Sequence, residues 1–337
     1  MSAIRVMFIG RSPNLASTRV RVANLLEPLS HRGVRAELHI LPRLFCERLK
    51  LFRKSAAFDI VVLQKKLLSP LIFFFLRQAS RCLVYDFDDA VFVRDAFGFD
   101  NAAKIWISKS RQRRFKRTVR NVDLVLAGNA YLENIARKFN PNVAVLPSPV
   151  SLTNHPTRND FPDNPKPVVG WIGSRTTLKY ILSIESILAR VAAVHPFELR
   201  IISDTPCSVA TLTCHHIPWS LEQQDLEIAH FDVGLMPLSD DPWTNGKCAY
   251  KILQYMAAEV PFVASAVGMN VEVACGNTTG YAVRSDREFA DSLIKLLDDK
   301  ALRRQMGEAG RAFVEQHYTV EVIADKLTGL LKNLVSS

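Results

Sequence analysis

The sequence predicts an α/β protein made of two domains, each with an open parallel sheet. The chain has 337 residues, which is enough for two domains of about 150 residues each. Short apolar runs such as Val233–Met236 are typical of buried parallel strands, and stretches with helical spacing follow them. Strands that alternate with helices in this way form parallel sheets, so the expected class is α/β.

Four segments are expected along the chain. Residues 1–150 are predicted to form a first Rossmann-like domain, because strand-like runs recur between helical stretches. Residues 151–166 are rich in Pro, Asn, Asp and Thr and indicate a linker. Residues 167–317 are the second Rossmann-like domain, and residues 318–337 form a last helix. No Gly-x-Gly-x-x-Gly follows the first strand, which argues against a dinucleotide cofactor in the first domain.

Composition and charge limit the classes of partner. The longest apolar run, residues 67–76, is too short to span a bilayer. Six cysteines without framework spacing fit reduced thiols, so a cytoplasmic location is expected. Residues 1–150 contain 26 Lys and Arg against 11 Asp and Glu, a net charge of +15, whereas the rest of the chain has −5. The first domain is therefore expected to meet something anionic, and no recognisable module points to nucleic acid.

The segment 232–272 has the most informative pattern, with strand, loop, helix, strand, loop and helix in sequence. Gly246 suits a helix start, and Lys247 and Lys251 are predicted to share the first turns of that helix. Two cations near the positive end of a helix can bind a diphosphate. The alternative is a solvated helix face that carries two lysines.

A second anion-binding turn is predicted at the start of the second domain. A strand runs into Gly173 and Ser174, and a helix follows, so backbone N–H groups are expected to face an anion, with charge added by Arg175 and Lys179.

These motifs resemble the donor-binding half of retaining GT-B glycosyltransferases, in particular family 4. Residues 253–257 (LQYMA) and 261–265 (PFVAS) match that family's LEAMA-G-P-V-V-A pattern. The resemblance spans the chain, strongly over residues 168–318 and weakly before residue 129. The family's Glu-x7-Glu pair, which contacts the donor sugar and ribose, is replaced here by Gly246 and Gln254. Gln254 can still hydrogen-bond a hydroxyl group.

The resemblance implies GT-B architecture, with two Rossmann-like domains facing a central cleft and a C-terminal helix that crosses back to the first domain. It also implies retention of configuration, with a nucleotide-diphosphate sugar as co-substrate and no cofactor or metal. The expected donor-binding residues are Gly173, Ser174, Arg175, Lys179, Trp219, Gly246, Lys247, Lys251, Gln254, Gly268 and Asn270. The resemblance implies that the loop of Trp219 lies beside the nucleotide base, so Trp219 is either a stacking platform for the base or part of the core. The expected catalytic residues are Asp88, Asp89, Arg175 and Lys179.

Candidate residues in the first domain leave alternatives open. Arg19 and Arg21 are expected to line the acceptor side, or else to be surface charge. Asp86-x-Asp88 looks like a metal-binding DxD motif. The preferred interpretation is that Asp88 or Asp89 is a carboxylate at the end of a strand that serves the acceptor.

Two further stretches of the first domain could meet a membrane. Residues 104–120 combine many cations with apolar residues, which fits a helix on an anionic membrane or a solvated helix packed on its sheet. Residues 67–76 fit a core helix or a second membrane contact. A peripheral position on the inner face of the cytoplasmic membrane is consistent with the membrane interpretation of both stretches.

The predicted function is therefore transfer of a sugar from a nucleotide-diphosphate sugar to a sugar, lipid-linked or other acceptor, in cell-surface polysaccharide or glycolipid synthesis. The alternative is a non-catalytic protein that binds a nucleotide sugar or an anionic surface, and the missing carboxylates at Gly246 and Gln254 motivate it.

Overall fold

The computed structural model describes residues 3–93, 109–153, 155–209 and 212–336, and it divides into two compact units. The first unit takes the chain up to Pro149, the segment Asp241–Cys248 and the chain from Tyr318 onward. The second unit takes Val150–Asp240 and Ala249–His317. None of the described helices reaches the length and hydropathy that a membrane crossing requires.

The first unit contains a six-stranded parallel sheet in the order β2-β1-β3-β4-β5-β6. Its strands are β1 Ile4–Gly10, β2 Val34–Ile40, β3 Ile60–Gln64, β4 Cys82–Phe87, β5 Leu124–Ala127 and β6 Val143–Val145. Its early helices are α1 Ala16–Thr18, which continues through the π-helical turn Arg19–Ala23 into α2 Asn24–Ser30, then α3 Phe45–Ser55, α4 Pro70–Ala79, α5 Lys109–Arg120 and α6 Ala130–Arg137.

The second unit contains another six-stranded parallel sheet, in the order β12-β11-β10-β7-β8-β9. Its strands are β7 Val168–Gly173, β8 Glu198–Ser203, β9 Cys214–Pro218, β10 Val233–Met236, β11 Phe262–Ser265 and β12 Tyr281–Val283. The remaining helices are α7 Leu178–Ser183, α8 Glu185–Val194, α9 Gln224–Ala229, α10 Pro242–Asn245, α11 Tyr250–Ala257, α12 Met269–Val273, α13 Asp286–Asp298, α14 Lys300–His317 and α15 Val320–Ser336. Short 3-10 turns lie at Arg158–Asp160 and Cys275–Asn277.

The strands are recognisable in the sequence because helices cover both faces of each sheet. Every residue of β3, β5 and β10 is buried, and apart from Gln64 at the end of β3 these strands are apolar with little alternation. The predicted α/β class with two Rossmann-like domains is confirmed. The edge strand β12 was not predicted, because it has only three residues and two of them, Tyr281 and Ala282, are only partly buried.

The last helix belongs to the first unit. Four residues of α15 are buried in the core beneath the first sheet, which also includes Val6 and Leu25. These four are Ile323, Ala324, Leu327 and Leu331.

The segment Asp241–Cys248 also groups with the first unit, although the sequence analysis assigns it to the second domain. The side chain of Asn129 fixes it there: its amide donates to the carbonyls of Asn245 and Lys247, at 3.1 and 2.9 Å. Cys248 adds a contact, since its Sγ lies 3.2 Å from the carbonyl oxygen of Asp88.

Candidate functional site

In the second unit, a cation sits at the carboxyl end of β7. The Nζ atom of Lys251 lies 3.3 Å from Oγ1 of Thr177 and 4.3 Å from the ring centre of Trp171. Gly173 makes this position possible, because a Cβ atom there would lie 2.6 Å from that Nζ and 2.4 Å from the Trp171 ring. Ligands of parallel sheets bind at this end of the strands, so Lys251 is well placed to meet an anion.

In the turn after Gly173, two backbone N–H groups are already hydrogen-bonded within the protein, so the turn can attract an anion mainly through charged side chains. The N–H of Arg175 donates to Oδ1 of Asp204 at 2.7 Å, and the N–H of Thr177 donates to the carbonyl of Ser174 at 2.8 Å. The predicted cradle of backbone N–H groups is therefore wrong for these two positions. The Arg175 side chain is exposed in the turn, and that of Lys179 is half-buried in the first turn of α7.

Lys247 does not share a helix with Lys251, and this part of the sequence prediction is wrong. Helix α11 begins at Tyr250, after Ala249, which adopts a left-handed conformation with φ 48°. A left-handed residue interrupts right-handed helical geometry, so the apolar spacing in the sequence predicted a helix start that lies too early in the chain. Lys247 belongs to the segment that joins the first unit, and its Nζ lies 5.2 Å from the ring centre of Trp243.

The two positions that lack the family's carboxylates differ in environment. A Cβ atom at Gly246 would lie 2.7 Å from both the backbone N and the Cβ of Ala90, so a Glu would not fit there without a shift of the backbone. A carboxylate at position 246 is therefore excluded, whereas the assignment of Gly246 itself to donor binding stays a prediction. Gln254 is only 4% exposed, and among the described residues its amide makes no hydrogen bond. A ligand hydroxyl could supply the partner that this amide lacks.

Two more donor-binding predictions have different outcomes. Trp219 is 39% exposed, and its Nε1–H donates to Oε1 of Gln224 at 2.9 Å, so the core-packing alternative is wrong. Asn270 is buried, and its amide donates to the carbonyl of Ser265 at 3.0 Å. That side chain holds the turn in which Gly268, at φ 52°, precedes α12, so the assignment of Asn270 to donor contact is corrected to a structural one.

In the first unit, Arg21 is a structural residue. Its guanidinium pairs with both carboxylate oxygens of Asp86, at 2.5 and 3.1 Å, and also donates to the Leu146 carbonyl and the Ser148 hydroxyl. The side chains of Arg21 and Asp86 are only 1% and 6% exposed. The predicted role of Arg21 in acceptor binding is therefore wrong, whereas Arg19 is half-exposed.

The neighbouring carboxylates share a lysine that the sequence analysis did not single out. The Nζ atom of Lys65 lies 2.9 Å from Oδ1 of Asp88 and also pairs with Asp89. Lys65 has φ 53°, an unfavourable conformation for a residue with a side chain, which the ion pairs help to maintain. Burial alone would raise the pKa of Asp88, but Lys65 and then Arg21 outweigh it, so the pKa lies below its ordinary value. The sequence feature that could have identified Lys65 is the end of an apolar strand followed directly by two lysines.

The thiol of Cys248 is not a nucleophile in this cluster. Burial, and then the charge of Asp88, raise the pKa of Cys248 well above its ordinary value, so the thiol stays neutral.

Both carboxylates of the DxD motif are already engaged in ion pairs, Asp86 with Arg21 and Asp88 with Lys65. Among the described ranges, no three His, Cys, Asp or Glu residues gather as metal ligands would.

The stretches considered as membrane contacts are only partly described, since residues 104–108 lie outside the described ranges. Helix α5 packs on the first sheet, with Phe115 and Val119 buried. Helix α4 buries Ile72, Phe73 and Leu76, so the core interpretation holds for one of its faces. On its other face Leu71 and Phe74 are exposed.

Comparison with known proteins supports the prediction of a glycosyltransferase. Residues 242–313 match the family model described as glycosyl transferases group 1. Over 82 residues the chain is 35% identical to the GDP-mannose-dependent monoacylated alpha-(1-6)-phosphatidylinositol monomannoside mannosyltransferase of Corynebacterium glutamicum. This match covers 24% of the chain and 22% of that protein, so the chain matches about a fifth of the length of this relative.

Solved structures match over nearly the whole chain. Sucrose-phosphate synthase from Thermosynechococcus elongatus aligns with a TM-score of 0.78 and 17% identity, covering 99% of both chains. The Anabaena protein Alr3699/HepE in complex with UDP and glucose aligns with a TM-score of 0.72 and 14% identity, covering 98% of this chain and all of that one. These likenesses show the fold, which is GT-B.

Proposed function

We propose that this protein transfers a sugar from a nucleotide-diphosphate sugar to an acceptor, with the donor on the second unit. The observation that carries the proposal is the Lys251 ammonium, held beside Gly173 where β7 ends. Arg175 follows in the adjoining turn, and Lys179 lies in the first turn of α7. The similar Anabaena structure contains UDP and glucose, and the similar mannosyltransferase is named as GDP-mannose-dependent, which supports a nucleotide-sugar donor.

The proposed donor half supplies positive charge where the reaction develops negative charge. As the bond from the sugar carbon to the diphosphate oxygen breaks, the leaving diphosphate gains charge, and fixed cations stabilise it. Lys251, Arg175 and Lys179 provide these cations, so no metal is required in this proposal. Gln254 holds a ribose hydroxyl and Trp219 faces the base. The resemblance to family 4 supports retention, which NMR of the product's anomeric configuration would test.

The proposed acceptor half lies in the first unit, at the carboxyl ends of β3 and β4. Asp89 is half-exposed beside Lys65 and is placed to hydrogen-bond an acceptor hydroxyl. Asp88 stays ionised because its pKa is lowered, and it holds Lys65 in place. Arg19 remains a candidate for acceptor contact. Cell-surface polysaccharide or glycolipid precursors are the class of acceptor proposed.

A thermal-shift panel of UDP-, GDP- and ADP-sugars, followed by donor-hydrolysis and transfer assays, tests this function. We expect one nucleotide class to stabilise the protein and to be hydrolysed at the same rate with and without EDTA. Asp89→Asn should slow transfer by about tenfold or more, as loss of a positioned proton acceptor does, without changing donor affinity. Activity lost in EDTA and restored by Mn²⁺ would contradict metal-free transfer.

The alternative of a non-catalytic binder keeps one observation in its favour, namely the closed environment of Gly246, which leaves no room for a carboxylate. In the same assays, tight binding of a nucleotide sugar with turnover indistinguishable from buffer, even with membrane-extract acceptors present, would establish the binder and reject the enzyme.

The first unit is also proposed to dock on an anionic membrane through an exposed apolar patch, formed by Leu44, Phe45, Leu71 and Phe74. Leu71 and Phe74 are 57% and 55% exposed, although large apolar side chains are usually buried. The ring of Phe75 lies 6.2 Å from Phe45 and 5.8 Å from Phe74, so the patch is continuous across α3 and α4. Helix α3 carries the cations that would meet anionic headgroups.

Leu71→Ser/Phe74→Ser should weaken binding to anionic vesicles by about thirtyfold or more, since each of the two side chains contributes roughly 1–3 kcal/mol when it leaves water. Vesicle co-sedimentation at increasing salt measures this. Val194→Ser/Val335→Ser is the matched control, because both valines are exposed elsewhere. Unchanged binding by the first variant, or equal binding to neutral vesicles, would rule out docking through this patch.

A further inference from the structure

A cavity of about 540 Å³ in the first unit carries an unusual excess of positive charge. Among the described residues, its lining includes Arg11, Lys65, Lys66, Arg111 and Arg114 and one carboxylate, that of Asp89. Lys65 is neutralised by its pairs with Asp88 and Asp89. Besides Lys65, four cations line the cavity, namely Arg11, Lys66, Arg111 and Arg114, so positive charge exceeds negative charge among the described residues of the lining.

The four cations come from three separate parts of the fold. Arg11 follows β1 and Lys66 follows β3, and these two strands pair side by side. Arg111 and Arg114 are three residues apart on α5 and so share one face of that helix. The Nε–H of Arg111 donates to the carbonyl of Val91 at 3.0 Å, which fixes that guanidinium on the wall.

These charges are held together at an electrostatic cost. The pKa of Lys66 is lowered, first by burial and then by the charges of Arg11, Arg48, Arg111 and Arg114. Among the described residues, no carboxylate forms an ion pair with Arg11, Lys66 or Arg114. An anion in the cavity would offset this repulsion, because it is attracted by every member of the set.

The rest of the lining suits an organic group attached to that anion. Leu15, Leu67, Val91 and Trp243 supply apolar surface, and aromatic rings commonly pack on the faces of bound ligands. The volume lies within the range of about 300–1,000 Å³ that small-molecule sites occupy. An arginine side chain can donate two parallel hydrogen bonds to two oxygens of one phosphate group. A carboxylate on the ligand would use only part of this set of cations.

We infer that this cavity binds a phosphate group carried by the acceptor, held by Arg11, Lys66, Arg111 and Arg114, with the acceptor hydroxyl toward Asp89. The identity of the ligand as the acceptor rests on the proposed function, whereas the phosphate site itself is inferred from the residues of the cavity alone. The phosphate could belong to a soluble sugar phosphate or to a phospholipid headgroup, since the shared chemistry is a phosphate ester.

Binding of defined phosphates to wild-type protein and to Lys66→Met/Arg114→Met tests this inference. Isothermal titration uses glucose 6-phosphate, glucose and inorganic phosphate, without any donor. Vesicles of phosphatidylcholine with and without phosphatidylinositol form the lipid arm. Arg35→Met/Lys138→Met is the control, because it removes one arginine and one lysine from exposed positions of the same unit that do not line the cavity.

We expect glucose 6-phosphate or the phosphatidylinositol vesicles to bind, with Kd raised about tenfold to a hundredfold in the cavity variant and unchanged in the control. The arm that responds identifies the source of the phosphate. No binding in either arm, or equal weakening in both variants, would overturn the inference. The nucleotide-sugar thermal shift should be the same in all three proteins. Phosphate binding without any sugar transfer would reject the proposed function and leave the phosphate site in place.

Discussion

Replacing Arg21 by methionine is expected to lower the free energy of unfolding of the first unit by about 3–5 kcal/mol. The reason is that the Asp86 carboxylate would remain buried without its cation, since both side chains are almost completely shielded from solvent. The Leu146 carbonyl and the Ser148 hydroxyl would lose a donor at the same time. Urea unfolding followed by circular dichroism measures the change.

A second substitution separates the cost of the orphaned charge from loss of packing. Arg21→Met/Asp86→Asn should recover part of the lost stability, because no charge then remains buried. Arg5→Met is the control: Arg5 is about half exposed and lies 3.9 Å from Asp59, so its loss should cost between 0 and about 1 kcal/mol. If Arg21→Met costs no more than the control, Arg21 does not have the structural role assigned to it here.

The sheets were predictable from the sequence, whereas the ion pairs within the first unit were not. A strand such as β3 is buried along its whole length, so its residue types alone indicate it. Arg21 and Asp86 are 65 positions apart, and only the pairing of β1, β3 and β4 brings the helix after β1 beside the end of β4. Each residue taken alone is compatible with a surface position, which is why Arg21 was expected at an acceptor.

The candidate site was predicted in part for a similar reason. Local sequence indicates Gly173 and the cations after it, because a strand, a glycine and a helix follow one another. It does not indicate that Ala249 is left-handed, which removes Lys247 from the helix of Lys251. No motif in the sequence indicates the cationic cavity, since Arg11, Lys66 and Arg111 come from three distant segments.

Replacing Lys251 by methionine is expected to give the largest loss of function among the donor-site residues. Its ammonium is held within 3.3 Å of the Thr177 hydroxyl, where β7 ends, and methionine keeps most of the apolar stem while removing the charge. A hydrogen bond to a charged group contributes about 1.5–3 kcal/mol, so Kd for the nucleotide sugar should rise by about tenfold to a hundredfold. Turnover should fall as well, because the same charge stabilises the departing diphosphate.

Lys295→Met is the matched control for this substitution. Lys295 is also a lysine over an aromatic ring in the second unit, with its Nζ 5.5 Å from the ring centre of Tyr281, but it is exposed on α13, away from the end of β7. Its loss should leave donor affinity and turnover unchanged. Titration of each variant with the nucleotide sugar that stabilises the wild-type protein, together with single-turnover donor hydrolysis, compares the two. Because both substitutions remove one charge and one cation–π contact, nonspecific effects of charge should appear in both. Wild-type affinity in Lys251→Met would mean that the diphosphate does not bind where β7 ends.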